Sequence, residues 1–145
     1  MGITQSEYNY LIQEDKAFED VETSIKLGPA PIKWKRIINT INGKETFLFD
    51  FYRGSFEITK YTYNKRYRQT IVLLRYDNGG RHTNPDGQFF DGPHVHLYRE
   101  GYDDKFAFPI FEIGVSPSDS MEEVFKKIAQ YCNIITIPTI EVTLF

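Results

Sequence analysis

Phe47-Leu48-Phe49-Asp50-Phe51-Tyr52, then Arg53-Gly54-Ser55, then Phe56-Glu57-Ile58-Thr59-Lys60-Tyr61 is the stretch whose reading decides the fold. A strand sends successive side chains to opposite faces, so Phe47, Phe49 and Phe51 share one face and Leu48, Asp50 and Tyr52 the other. Arg53-Gly54-Ser55 turns the chain, and Phe56, Ile58 and Lys60 then alternate with Glu57, Thr59 and Tyr61. The result is an antiparallel pair with an aromatic face to bury.

Working outward, Asn42-Gly43 before this pair is a two-residue hairpin turn, and Lys33–Ile38 ahead of it reads as a short first strand or an irregular approach to the sheet. After it, Asn64-Lys65 turns the chain into Tyr67–Tyr76, where Ile71-Val72-Leu73-Leu74 is apolar on both faces and marks the central strand. His94–Arg99 and Phe106–Ile113 read as the next strands, joined by Glu100-Gly101-Tyr102-Asp103-Asp104. Ile134–Phe145, interrupted by Pro138, reads as an edge strand or a closing tail.

Two helices flank the strands. Thr4 and Glu7 form a capping box, followed by Tyr8, Leu11, Ile12 and Phe18 at helical spacing, with Glu14, Asp15, Glu19 and Asp20 as a solvated face. Gly28-Pro29-Ala30-Pro31 stops any helix. Ser118 or Ser120 caps a final helix that buries Met121, Val124, Phe125, Ile128 and Ala129. The expected architecture is α+β: an antiparallel meander of about five to six strands, with both helices packed on one face.

The 145 residues are expected to form a single domain, 1–145, which at this size buries roughly 68–70% of its unfolded surface. Ten Tyr and twelve Phe favour sheet. The lone Cys132 excludes an internal disulfide and a cysteine-based zinc knuckle. No apolar run or leader pattern suggests a membrane partner or export, so the expected location is the cytoplasm. The net charge of −3 hides an asymmetry: Arg53, Lys60, Lys65, Arg66, Arg68, Arg75 and Arg81 face only Glu57 and Asp77, a local excess of +5. Such a basic field attracts phosphates.

All three histidines fall inside fifteen residues, His82, His94 and His96, within a stretch dense in turn residues. His94 and His96 lie at i and i+2, so their rings leave one face of a strand, with Tyr98 continuing an exposed or cleft-lining row and Val95 and Leu97 facing the core. His82 comes from a 17-residue connection, 77–93, longer than ordinary hairpin loops.

Three chemistries use such a cluster. A histidine pair cleaves or binds RNA, one imidazole taking the 2′-hydroxyl proton and another protonating the leaving oxygen, while Arg and Lys steady the phosphorane. Alternatively, His82, His94 and His96 bind a divalent metal with Asp86 or Asp91. No sharper pattern such as HExxH is present, so no metal or other cofactor is assigned. In the third reading each imidazole donates to a loop carbonyl or to Asp86 or Asp91, and the cluster pins a long loop whose turn is Asn84-Pro85-Asp86-Gly87.

With His82-Thr83-Asn84-Pro85-Asp86-Gly87 and Pro93-His94-Val95-His96-Leu97-Tyr98-Arg99-Glu100-Gly101-Tyr102 in view, the chain resembles an uncharacterised bacterial and phage domain family. That family shares an H-x-NPDG…PHxHxYxEGY pattern, and the likeness runs from the first helix to Tyr131-Cys132-Asn133. A looser similarity is to TumE-type toxins, carried by Gly54-Ser55, Arg75-Tyr76-Asp77, His82 and His94-Val95-His96. The first likeness brings no established activity; the basic sheet and the histidine loop lead to the expectation of a small accessory protein of mobile-element or toxin–antitoxin type acting on nucleic acid. In that role RNA is the expected partner, with His82, His94 and His96 catalytic in a metal-independent RNase, and Arg68, Arg75, Arg81, Lys65, Arg66 and Tyr98 contacting nucleic acid. The rival expectation is a non-enzymatic module that binds a bacterial or phage protein, such as an antagonist of a defence system.

Overall fold

The computed structural model describes residues 2–29, 31–63 and 68–143, with the backbone alone at 62, 63, 68 and 69. In chain order its elements begin with α1 (Gln5–Gln13), β1 (Lys16–Phe18), β2 (Ile25–Leu27), β3 (Lys33–Thr40), β4 (Thr46–Tyr52), β5 (Ser55–Tyr63) and β6 (Arg68–Asp77). They continue with β7 (Arg81–Thr83), β8 (Phe89–Asp91), β9 (His94–Leu97), β10 (Ala107–Phe108), a 3₁₀ turn (Ile110–Ile113), α2 (Met121–Tyr131), β11 (Ile134–Thr136) and β12 (Ile140–Val142).

The hairpin expected at Phe47–Tyr61 is β4–β5, with Phe51 opposite Phe56 and Phe49 opposite Ile58. Its two-residue turn places Arg53 at φ 52° and Gly54 at φ 80°, the pair of positive angles that a type I′ turn requires. The Phe49 ring packs among Phe18, Trp34, Phe56 and Phe125, with centroids 5.4–5.9 Å away. Phe125 comes from α2, so this helix closes the aromatic face. Tyr8, Leu11 and Ile12 of α1 belong to the same core cluster.

The fold is mixed α+β with a large, mostly antiparallel sheet. That sheet has eight strands in the order β10-β9-β6-β5-β4-β3-β1-β11, more than the five to six expected, and β1–β11 is parallel. The surplus comes from three-residue strands too short to show a period. α1 ends at Gln13, so Lys16 and Phe18 leave the expected helix and start the sheet as β1. Pro109 limits the expected Phe106–Ile113 strand to β10, and the remainder closes as a 3₁₀ turn. The C-terminal segment divides around Pro138 into β11 beside β1 and β12 beside β2. Residues 41–45 join β3 to β4, a longer loop than the two-residue turn expected at Asn42-Gly43.

The long connection after β6 is itself ordered. β7 and β8 form a separate hairpin in which Gly87 N–H donates to Asn84 O at 2.8 Å, closing the Asn-Pro-Asp-Gly turn. The expected Asn64-Lys65 turn lies outside the described residues. Among the described residues, no helix is long and apolar enough to cross a membrane.

Candidate functional site

The face of the sheet opposite Phe49 and Phe56 carries a polar row across five strands. Lys35 pairs with Asp50, Asp50 with Glu57, Glu57 with Arg75, and Arg75 with His96. One step along, Asp77 pairs with His94. The β9 strand is therefore buried on both sides: Val95 is 0% exposed in the core, while His94 is 3% and His96 1% exposed beneath the β7–β8 hairpin. The histidine row, expected from alternation to be exposed or to line a cleft, is covered.

His82 of β7 supplies the cover. Its ring lies 6.0 Å from the His94 ring and 4.5 Å from the His96 ring, centroid to centroid. Asn84 fastens the hairpin to the sheet, donating to Ala107 O at 2.9 Å and accepting from Ala107 N–H at 2.7 Å.

Each imidazole also meets a backbone carbonyl: His82 Nε2 with Lys105 O at 2.8 Å, His94 Nδ1 with Gly92 O at 2.8 Å, and His96 Nδ1 with Asp104 O at 2.9 Å. A carbonyl oxygen only accepts, so the proton is assigned to those three nitrogens. This is the loop-pinning arrangement, although the acceptors are carbonyls and neither Asp86 nor Asp91. Asp86 accepts from Gln88 N–H in its own turn, and Asp91 sits 3.9 Å from Arg81 at the exposed hairpin edge.

The carboxylate that reaches the histidines is Asp77. Its Oδ2 is 3.4 Å from His94 Nε2 and 3.5 Å from His96 Nε2, and its Oδ1 accepts from Ser55 Oγ at 3.1 Å. Arg75 stands beside them, with Nε 3.4 Å from Asp77 Oδ2, Nη2 3.2 Å from His96 Nε2 and Nη1 3.0 Å from Asp104 Oδ2. Burial alone would push the Asp77 carboxyl up; its contact with His96, the Arg75 charge and the Ser55 hydroxyl outweigh it and hold the group below the ordinary carboxylate range. Glu57 and Asp50 go the other way: burial raises both, against the Thr59 hydroxyl at Glu57 and Lys35 at Asp50. Next to these groups an open groove of about 370 Å³ runs past Tyr52, Arg53, Ser55, Arg75 and Asp77. A larger cavity of about 630 Å³ beside Tyr10 and Lys60 contains none of the histidines.

Of the residues expected to act, His82, His94, His96 and Arg75 converge. Arg81 points outward with 78% of its side chain exposed. Lys65 and Arg66 lie outside the described residues, and of Arg68 only the backbone, paired with Tyr63, is described. Tyr98 does not continue the histidine row. β9 ends at Leu97, and Tyr98 is 2% exposed, stacked on Tyr8 at 5.7 Å, with its hydroxyl donating to Ile3 O. Asp77, Ser55, Asp104 and Glu57 join the site without being among the residues expected to act. The available signal was Asp77 two places after Arg75, which alternation puts on the same face. Which partner it meets depends on strand register.

A family of unknown function matches the chain over residues 3–134. No curated protein and no solved structure matches it.

Proposed function

The chain belongs to the DUF6978 family of unknown function, and from the geometry of its sheet we propose that it binds single-stranded RNA as a small accessory protein. The carrying observation is Tyr52, 51% exposed at the mouth of the groove, with the Arg53 guanidinium 5.0 Å from its ring centre. Lys33 is its cross-strand partner, and Lys35, 60% exposed, occupies the next position along the same face. An open aromatic ring among cations supplies base stacking and phosphate neutralisation, the two contributions on which sequence-tolerant binding depends.

Burial of His94 and His96 favours binding over cleavage. A general base must come within hydrogen-bond reach of the proton it takes, and these imidazoles are covered by His82 and spend their Nδ1 protons on carbonyls. The histidines then serve the function indirectly, by holding the β7–β8 hairpin against the sheet. A mobile-element or toxin–antitoxin setting remains part of this proposal.

Fluorescence anisotropy with a labelled single-stranded RNA over a salt series tests it. The expected result is an affinity that falls with salt and that Tyr52→Ala weakens by about 1–3 kcal/mol, the contribution of one stacked base. RNA should be recovered uncut after incubation with wild type. No binding at low salt would overturn the reading and direct attention to a protein partner.

A further inference from the structure

We propose that Asp77, His94 and His96 form a binding site for one divalent transition-metal ion, zinc being the first candidate. This goes beyond RNA binding and rests on a separate observation, the placement of three ligand atoms. Because Nδ1 of both His94 and His96 faces a carbonyl oxygen, the lone pair of each neutral imidazole is on Nε2. Both Nε2 atoms are aimed at the same carboxylate oxygen, Asp77 Oδ2, at 3.4 and 3.5 Å. Two lone pairs directed at an anion call for a positive charge among them, which Arg75 supplies from one side, at 3.4 Å from Asp77 Oδ2 and 3.2 Å from His96 Nε2.

A proton on Nε2 is one way to supply that charge, but charge-assisted N–H···O bonds run at about 2.7–2.9 Å, well inside the observed distances. An ion with ligands about 2.0–2.1 Å away in tetrahedral geometry sets its donors roughly 3.3–3.4 Å apart, close to the two separations between Asp77 Oδ2 and the histidine nitrogens. The three donor atoms lie within 4.8 Å of one another. Each ligand is also oriented from behind, His94 by Gly92 O, His96 by Asp104 O and Asp77 by Ser55, the outer contacts that fix tautomer and direction in metal sites.

Arg75 is the competing cation, 3.2 Å from His96 Nε2. Its Nη1 already pairs with Asp104 at 3.0 Å and a third of its side chain is exposed, so it has a second anchor and room to withdraw. His82 has its Nε2 on Lys105 O and is outside the triad. Two imidazoles and one carboxylate suit zinc or iron(II), and three protein ligands leave a coordination position for water or an oxygen ligand.

The test is calorimetric titration of chelator-treated, dialysed full-length protein with zinc, followed by elemental analysis of the dialysed complex. One ion per chain and a raised melting temperature are expected. Asp77→Asn and His94→Gln should each weaken zinc binding more than ~100-fold, beyond the loss typical of outer-contact changes, while His82→Gln keeps full stoichiometry. Absence of saturable uptake by folded wild type, or equal affinity in Asp77→Asn, would overturn the site. Should either ligand variant fail to fold, ¹⁵N resonances in wild type decide: on zinc addition Nε2 of His94 and His96 should shift, and unmoved resonances refute the assignment.

Discussion

Asp77 and His94 are direct cross-strand partners on β6 and β9, and the Asp77 carboxylate lies 3.4 Å from His94 Nε2. This pairing brings the last residue of the central strand to the first residue of the strand that follows the hairpin. The polar chemistry of the chain is thus built at the joint between the sheet and its covering loop.

Asn84 substitutes for a strand at the edge of β10. Its side chain is 4% exposed and makes both a donated and an accepted bond with the Ala107 backbone. Asn84→Ala should cost about 2–4 kcal/mol, because two buried backbone groups lose their partner. Urea unfolding measures the loss. Amide exchange at Ala107 should accelerate more than at β4, and equal protection would contradict the pinning role.

Arg53 sits at φ 52° in the β4–β5 turn, a region that Asn tolerates better than Arg. Arg53→Asn is expected to stabilise the fold by about 0.5–1 kcal/mol while lowering the salt slope of RNA binding by roughly 1. Thermal unfolding and anisotropy together read these opposite effects. A destabilised variant would show that the cation over Tyr52 matters more than the turn.

Lys16 is 1% exposed, and its Nζ donates to Ile12 O, Glu14 O and Cys132 O at 3.1, 2.8 and 2.7 Å. These carbonyls end α1 and α2, so one ammonium serves the negative ends of both helices. Lys16→Met should cost about 3 kcal/mol at neutral pH by stranding them. Burial lowers the Lys16 pKa from 10.5 to about 8, against the opposing pull of Cys132, Glu14 and Asp15. Between those values the unfolded chain holds the proton more tightly than the folded one, so this group's contribution to stability rises with pH there and is flat below. The stability gap between wild type and Lys16→Met, from urea unfolding, should widen from about pH 8 to about pH 10. A narrowing gap would refute this.

Tyr98 ties the N-terminal segment to the end of β9: its hydroxyl donates to Ile3 O at 2.6 Å and accepts from Ile3 N–H at 2.9 Å. Tyr98→Phe keeps the ring on Tyr8 and removes both bonds, at a cost of about 1–2 kcal/mol. Exchange at the Ile3 amide should rise accordingly. RNA affinity should stay unchanged, since this ring is buried.

Much of the sheet was legible because its long strands repeat their pattern. Phe47, Phe49 and Phe51 mark a buried face, and the structure keeps them at 0–1% exposure. Ser120 caps α2 through Glu123 N–H, and Thr4 and Glu7 close the capping box of α1, as local side-chain geometry dictates. A three-residue strand such as β1 carries too little pattern to recognise, whereas β11 lies inside the Ile134–Phe145 segment expected as an edge strand or a closing tail. Of the β7–β8 hairpin only the turn is legible in the chain, since Arg81-His82-Thr83 and Phe89-Phe90-Asp91 are short and mostly exposed.

The site divides along the same line. Clustering of His82, His94 and His96 is a property of the chain order, and alternation alone puts the rings of His94 and His96 on one side of a strand. Whether that side is open or covered, and which carboxylate it meets, is not local. A register shift between Ile58 and Thr59 breaks counting by twos along β6, so Arg75 and Asp77 find their face only through the pairing of β6 with β5 and β9. Sequence by itself determined periodicity, caps and turns, because these depend on residues a few positions apart. Tertiary structure decided the burial of His94 and His96, the arrival of Asp77 and the pinning of the hairpin by Asn84, because each depends on strands and loops brought together from separate parts of the chain.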